Sequence, residues 1–270
     1  MDVSISSWSY RKWFEEGKCD LLSFLDEVKR QGAAGFEIFP QHVNQDDPGA
    51  HLKEVARKAS RLGLSISSVI AGNDFARPLA TERAEQVERM KHWIAATVGA
   101  GVHTMNTFTG YHTSGDAPVL EAYRVIDCYR EVMPVAEEHN VLLCIENHSS
   151  VCPDADGLLW LIRAVGSRNL RANPDPTNFV PEFAARGQRA REAVYTETAK
   201  VAPLMANAHL KIAEFTADGN HAHADVPRLL DIFRSAGYDG HIVLEYYAQG
   251  DPAEPCAKGV ALLRRLLAQP

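Results

Sequence analysis

Val141-Leu142-Leu143-Cys144-Ile145-Glu146-Asn147-His148 decides how this 270-residue chain reads. A run of apolar side chains marks a short strand, and it stops on a carboxylate, an amide and an imidazole. Downstream, Leu158, Leu161, Ile162 and Val165 follow the i, i+3, i+4, i+7 spacing of a helix with one apolar face. Together they make one βα unit, with polar groups gathered where strand hands over to helix.

The unit repeats in both directions. Strand-like runs recur at Val3-Ser4-Ile5, Gly35 to Phe39, Leu64 to Val69, Val102 to Asn106, Leu170 to Asn173, Ala206 to Leu210 and His241 to Glu245. Helical periodicity recurs at Leu21, Phe24, Leu25 and Val28 behind an Asp20 N-cap, at Val226, Leu229, Leu230 and Phe233, and at Val260, Leu263 and Leu267. About eight units at roughly 30-residue spacing predict a single closed (β/α)8 TIM barrel over residues 1–270 rather than an open doubly wound sheet. Asn173 to Arg191, holding Pro174, Pro176 and Pro181, reads as a long loop after the sixth strand.

Composition narrows the function. With 46% hydrophobic and 23% charged residues the chain is globular, and 28 basic against 35 acidic side chains, a net charge of -7, argue against a nucleic-acid partner. No apolar run is long enough to cross a bilayer, since Glu146 cuts Val141 to Ile145 short. Met1-Asp2-Val3-Ser4 does not open a secretion signal, and five scattered cysteines suit core filling in a reducing cytoplasm. Nucleotide-binding glycine motifs are missing, and Asn147-His148-Ser149 matches the glycosylation triplet by chance.

In a barrel, chemistry gathers at the C-terminal ends of the strands. Glu37 lies on the second strand, Glu146-Asn147-His148 ends the fifth, Asp175 follows the sixth, His209 and Lys211 lie on the seventh and Glu245 ends the eighth. Glu146, Asp175, His209 and Glu245 thus bring three carboxylates and an imidazole from neighbouring strands, a donor set that suits a divalent metal. Singly, each has an ordinary explanation as a cap, a satisfied histidine or half of an ion pair. Jointly they ask for one cause. Mn2+ is the first choice for such an oxygen-rich site, with Mg2+, Co2+ and Zn2+ as alternatives.

The order IENH, NPDPTN, HLK and IVLEY, with VSISSW on the first strand and GFEIF on the second, resembles the xylose isomerase-like TIM barrels, the sugar phosphate isomerases and epimerases. The resemblance covers nearly the whole chain. It implies that Glu146, Asp175, His209 and Glu245 bind the metal, and that Glu146 and Glu245 serve as acid and base on the two faces of a ketose. Two positions depart from the pattern. Many members carry a histidine where this chain has Asn178, and many follow the strand-seven lysine with an aspartate where it has Ile212. The absent histidine counts against the three-metal endonuclease branch.

The expected reaction is proton removal beside a carbonyl of a sugar, polyol or keto compound through an enediolate, giving isomerisation or epimerisation. The alternative is a lyase or dehydratase acting on a keto-sugar, 3-keto-glycoside or cyclic keto acid. A barrel that binds carbohydrate without turnover, or serves as a complex subunit, is the reading from another class, and a homo-oligomer stays open. His148, two residues past Glu146, is a candidate acid or base, and Lys211 a candidate to bind a substrate oxygen or to pair with Glu37 or Glu245. Trp8, Phe108 and Tyr111 are candidates for an apolar wall, and His221 and His223 for a solvated loop. With Lys211 the main cation in view, the pocket is expected to favour an uncharged sugar unless Arg11 or Arg77 reaches it.

Overall fold

The computed structural model describes residues 1–111, 115–148, 151–179 and 188–269. Its strands are β1 (Asp2–Ser6), β2 (Gly35–Ile38), β3 (Ser65–Ile70), β4 (Thr104–Thr107), β5 (Leu142–Glu146), β6 (Leu170–Asn173), β7 (Ala208–Ile212) and β8 (His241–Tyr246). The helices are α1 (Arg11–Glu15), α2 (Leu21–Gln31), α3 (Pro48–Leu62), α4 (Ala80–Gly99), α5 (Pro118–Glu138), α6 (Ala155–Val165), α7 (Gln188–Val201), α8 (Val226–Ser235) and α9 (Ala253–Leu267).

All strand pairs are parallel, in the order β6-β5-β4-β3-β2-β1-β8-β7. The ends of that sheet meet, because Ala206 N donates to Ala172 O at 3.0 Å and His209 N to Pro174 O at 3.1 Å. The result is the predicted (β/α)8 barrel, and its closing seam holds His209 beside the loop that carries Asp175. At the opposite end, Gly35 lets the first three strands approach. A Cβ there would lie 2.6 Å from Ser65 O and 2.8 Å from Ser4 Oγ.

The helices form where their apolar periodicity meets a cap. The Asp20 side chain accepts from Ser23 N, and Asp154 and Asp225 do the same for α6 and α8. Leu21, Phe24, Leu25 and Val28 of α2, and Val226, Leu229, Leu230 and Phe233 of α8, are buried against the sheet. Each such side chain contributes roughly 1.5–3 kcal/mol. In α9, Leu266 takes the buried place expected of Leu267.

The loop expected from Asn173 to Arg191 is shorter than its prolines imply. Pro176–Phe179 forms a 3-10 turn and α7 already begins at Gln188, because Val194, Thr198 and Val201 carry a buried helical stripe. Pro181 lies outside the described residues. The cysteines are unpaired, with Cys128, Cys144 and Cys256 buried. Among the described residues no helix is long and apolar enough to cross a membrane.

Candidate metal centre

The barrel delivers Glu146 at the last position of β5, Asp175 just past β6, His209 and Lys211 on β7 and Glu245 on β8, where register places Lys211 beside Glu245. One ligand atom each from Glu146, Asp175, His209 and Glu245 falls within 4.8 Å of the others. His209 Nδ1 is 3.4 Å from Glu146 Oε2 and 3.6 Å from Glu245 Oε2.

Glu37 decides what that nitrogen offers. Its Oε2 is 3.0 Å from His209 Nε2 and accepts from Ser68 Oγ at 2.5 Å. A carboxylate there holds the proton on Nε2, so Nδ1 is the nitrogen turned to the cluster, where a cation can take the place of its proton. Nδ1 is buried without a hydrogen-bond partner. A buried ring nitrogen with no hydrogen-bond partner, ringed by carboxylates, is the arrangement that a divalent cation satisfies.

The remaining contacts hold the carboxylates in place. Asn106 Nδ2 donates to Glu146 Oε2 at 2.8 Å, and Asn178 Nδ2 to Glu146 Oε1 at 3.1 Å. Lys211 Nζ lies 2.8 Å from Asp175 Oδ2, 3.4 Å from Glu245 Oε2 and 3.0 Å from Asn178 Oδ1. Asn178 therefore bridges Lys211 and Glu146. Asn147 exchanges two hydrogen bonds with the Asp175 backbone, at 2.8 and 3.0 Å, and so locks the β5 and β6 ends together.

Burial alone would depress the pKa of His209, but Glu37, Glu146 and Glu245 outweigh it and raise the pKa well above the usual imidazole range. Lys211 behaves alike. Its burial is overcome by Asp175, Glu245 and Glu146, which push its pKa up. Against burial, which would raise it, Lys211 and His209 hold the Glu245 carboxyl at about 2. Even with both bases charged, Glu37, Glu146, Asp175 and Glu245 leave negative charge to be balanced, so the cluster attracts a further cation.

Above the cluster opens a cavity of about 570 Å³, lined by Glu146, His209, Lys211 and Glu245 together with Trp8, Phe108, Tyr111 and His148. The strand ends at Glu146, yet His148 still lines this mouth, edge-on to Phe108 with ring centroids 6.1 Å apart. His221 and His223 lie elsewhere. His221 Nε2 is 2.9 Å from Lys211 O, and its Nδ1 accepts from the backbone N–H groups of His223 and Ala224, so it fixes the loop after β7.

Of the two carboxylates expected as partners for Lys211, Glu245 lies 3.4 Å from it, whereas Glu37 holds His209 instead. The lone charge in the apolar run Phe36-Glu37-Ile38 was the available signal. Arg11 stays outside the cavity wall, stacked 3.8 Å over the Trp8 ring and donating to the carbonyls of Tyr246, Tyr247 and Ala248. Arg77 does reach the cavity, and so does Arg89, which the sequence did not single out.

A model of the xylose isomerase-like TIM barrel family matches residues 25–266. Among solved structures, the chain superposes on a D-psicose 3-epimerase with D-tagatose from Clostridium cellulolyticum H10 with a TM-score of 0.79, at 15% identity over 98% of either chain. An L-ribulose 3-epimerase matches with a TM-score of 0.75 at 18% identity, over 98% of this chain and 93% of its own. The 3-keto-D-glucoside 4-epimerase from E. coli matches with a TM-score of 0.71 at 17% identity, over 91% and 94%. No curated protein matches the sequence significantly. At such identities the structural likeness carries the fold, and the chemistry rests on this chain's own residues.

Proposed function

The chain belongs to the xylose isomerase-like TIM barrel family, and from that premise we propose a divalent-metal-dependent isomerase or epimerase that acts on a sugar or related keto compound. The observation that carries the reading is the buried, unpartnered Nδ1 of His209 facing Glu146 and Glu245 beneath an open cavity. Glu146, Asp175, His209 and Glu245 would hold the ion, Mn2+ by preference, and it would supply Lewis-acid polarisation of a carbonyl and its neighbouring hydroxyl.

The chain's own groups do the rest. Glu146 and Glu245 stand on strands separated by two others, so one carboxylate takes a proton from the carbon beside the carbonyl while the other is placed to return one from a different side. Lys211 stays charged, steadies Asp175 and Glu245, and offers an N–H to a substrate oxygen on which negative charge develops. Trp8, Phe108 and Tyr111 supply apolar surface for a sugar face. Elimination is the second reading, favoured by the exposure of His148 beside Glu146, where it can protonate a leaving group. The substrate is a small carbohydrate, with neither nucleic acid nor membrane as partner, and the unpaired cysteines suit a reducing cytoplasm.

The test combines elemental analysis with solvent-deuterium exchange into a panel of ketoses and 3-keto-glycosides. About one divalent ion per chain, activity lost on chelation and deuterium at the carbon beside the carbonyl are expected. A released aglycone identifies elimination. Full turnover by a metal-free preparation, or sugar binding without any exchange, overturns the proposal. His148→Ala is expected to slow turnover and leave metal content unchanged.

A further inference from the structure

The cavity has two poles. One is the carboxylate and imidazole cluster. The other lies where the β3–α4 loop and the middle of α4 bring Arg77, Gln86 and Arg89 into the same wall, beside Gly72 and Asp74.

The contacts around this second pole leave positive charge over. Arg77 Nε is 2.9 Å from Asp74 Oδ2. The other oxygen of Asp74 already accepts from the backbone N–H groups of Ala76, at 3.3 Å, and Tyr111, at 3.0 Å. Gln86 Oε1 accepts from Asp74 N at 3.1 Å, which fixes Gln86 beside that loop. The Arg89 guanidinium has no ion-pair or hydrogen-bond partner among the described residues. It lies over Gly72, where an added Cβ would come within 3.9 Å of its Nη2. Asp74 thus pairs with Arg77 alone, and Arg89 lines the same cavity with none of its guanidinium donors engaged among the described residues.

Planar guanidinium forks pair two-point with carboxylate and phosphate oxygens, an arrangement that a neutral sugar hydroxyl does not match. A cavity of about 570 Å³ can hold a monosaccharide-sized molecule that touches both poles. We propose that Arg77, Gln86 and Arg89 form an anion-binding subsite of this cavity. The substrate is then a sugar derivative with its carbonyl at the carboxylate cluster and an anionic group, a carboxylate or a phosphate ester, at the arginine pole. This rests on the proposed reaction for the first pole and replaces the expectation of an uncharged sugar, which held only if neither Arg11 nor Arg77 reached the cavity.

Two measurements test it on the intact chain. Calorimetric titration of the metal-free protein with inorganic phosphate, and separately with glycolate, is run at fixed ionic strength because exposed charges are screened. Saturable binding of at least one anion is expected. It should weaken about tenfold or more in Arg89→Ala and in Arg77→Ala, with partial recovery in Arg89→Lys, which keeps the charge and loses the fork. Whichever anion binds more tightly identifies the group. In the second measurement, kcat/KM is compared for a matched neutral ketose, its phosphate ester and its keto-aldonate with Mn2+ present. An anionic preference that collapses by about tenfold in Arg89→Ala, chiefly through KM, supports the subsite.

Anion binding equal in the wild type and both alanine variants overturns the subsite, as does the absence of saturable binding. Turnover of ketoses without anionic preference also retires it, and leaves the proposed reaction standing. Phosphate binding that depends on Arg89, with no exchange into any substrate, keeps the subsite and retires the reaction.

Discussion

Two histidines of this barrel sit in contrasting surroundings. His241 opens β8 at the N-terminal end, with Ser4 Oγ 2.9 Å from its Nδ1 and Ser65 Oγ 3.2 Å from its Nε2. His209, on the neighbouring β7, has Glu37 on Nε2 and nothing bonded to Nδ1. Burial acts on both rings and penalises the charged form in both. At His241 it prevails and lowers the pKa, while at His209 the surrounding carboxylates reverse it. A histidine with both nitrogens satisfied by hydroxyls is a structural part. One with a carboxylate on one side and an unpartnered nitrogen facing further carboxylates on the other is placed to bind a cation in exchange for its proton.

The largest effects are expected where that contrast is broken directly. Glu245→Gln keeps the shape of the side chain and removes a carboxylate that serves the site, so turnover should fall by at least about 10²-fold. His209→Ala should lose bound metal by elemental analysis, whereas His241→Gln should keep both metal content and kcat within about twofold. If His241→Gln strips the metal and His209→Ala does not, the two histidines have been assigned the wrong way round.

A smaller effect sharpens the contrast. Glu37→Gln leaves a hydrogen-bond acceptor for His209 Nε2 and takes away the charge that raises the ring's basicity. Outer partners of metal ligands typically contribute 10- to 100-fold in affinity. Titration with Mn2+ should therefore show binding weaker by about tenfold or more with the fold intact. Affinity equal to the wild type would show that Glu37 is a structural acid of the barrel interior.

The same contrast marks what the sequence could disclose. The barrel was legible because apolar runs and amphipathic helices alternate from Val3 to Leu267, a local signal. The four-residue cluster was legible too, since each member ends or follows a strand and parallel strands in a barrel point the same way. Glu37 with His209, Asn106 with Glu146 and Arg89 over Gly72 were not. Glu37 and His209 are 172 positions apart and meet only across the closed interior, where strand stagger rather than periodicity sets the pairing. Arg89 lies mid-helix on α4, and its place in the cavity wall depends on how that helix is rotated against β3. The far bound of the loop at Arg191 was misplaced for the converse reason, because prolines punctuate the chain locally while the buried stripe of Val194, Thr198 and Val201 sets where α7 lies.

The smallest expected effect concerns stability and isolates His241. Burial lowers its pKa in the native barrel, with Asp2 opposing and the amino terminus adding to the shift. The unfolded chain keeps a histidine near the ordinary value of about 6.5. Between those two values the unfolded state binds more protons than the native one, so stability falls as pH falls through that window. The contribution of neutral His241 is complete above about pH 7 and lost on acidification. His42, which burial pushes down to about 4, and His221, also depressed by burial, act in the same direction and remain in any single variant. His241→Gln cannot titrate. It should melt below the wild type at pH 8, where the bonds to Ser4 and Ser65 are disturbed, and the gap should narrow by a few degrees at most by pH 5.5. Thermal melts of both proteins at the two pH values measure that gap. A gap that widens on acidification would mean His241 is held protonated in the native state, like His209, and the distinction between the two ends of the barrel would fail.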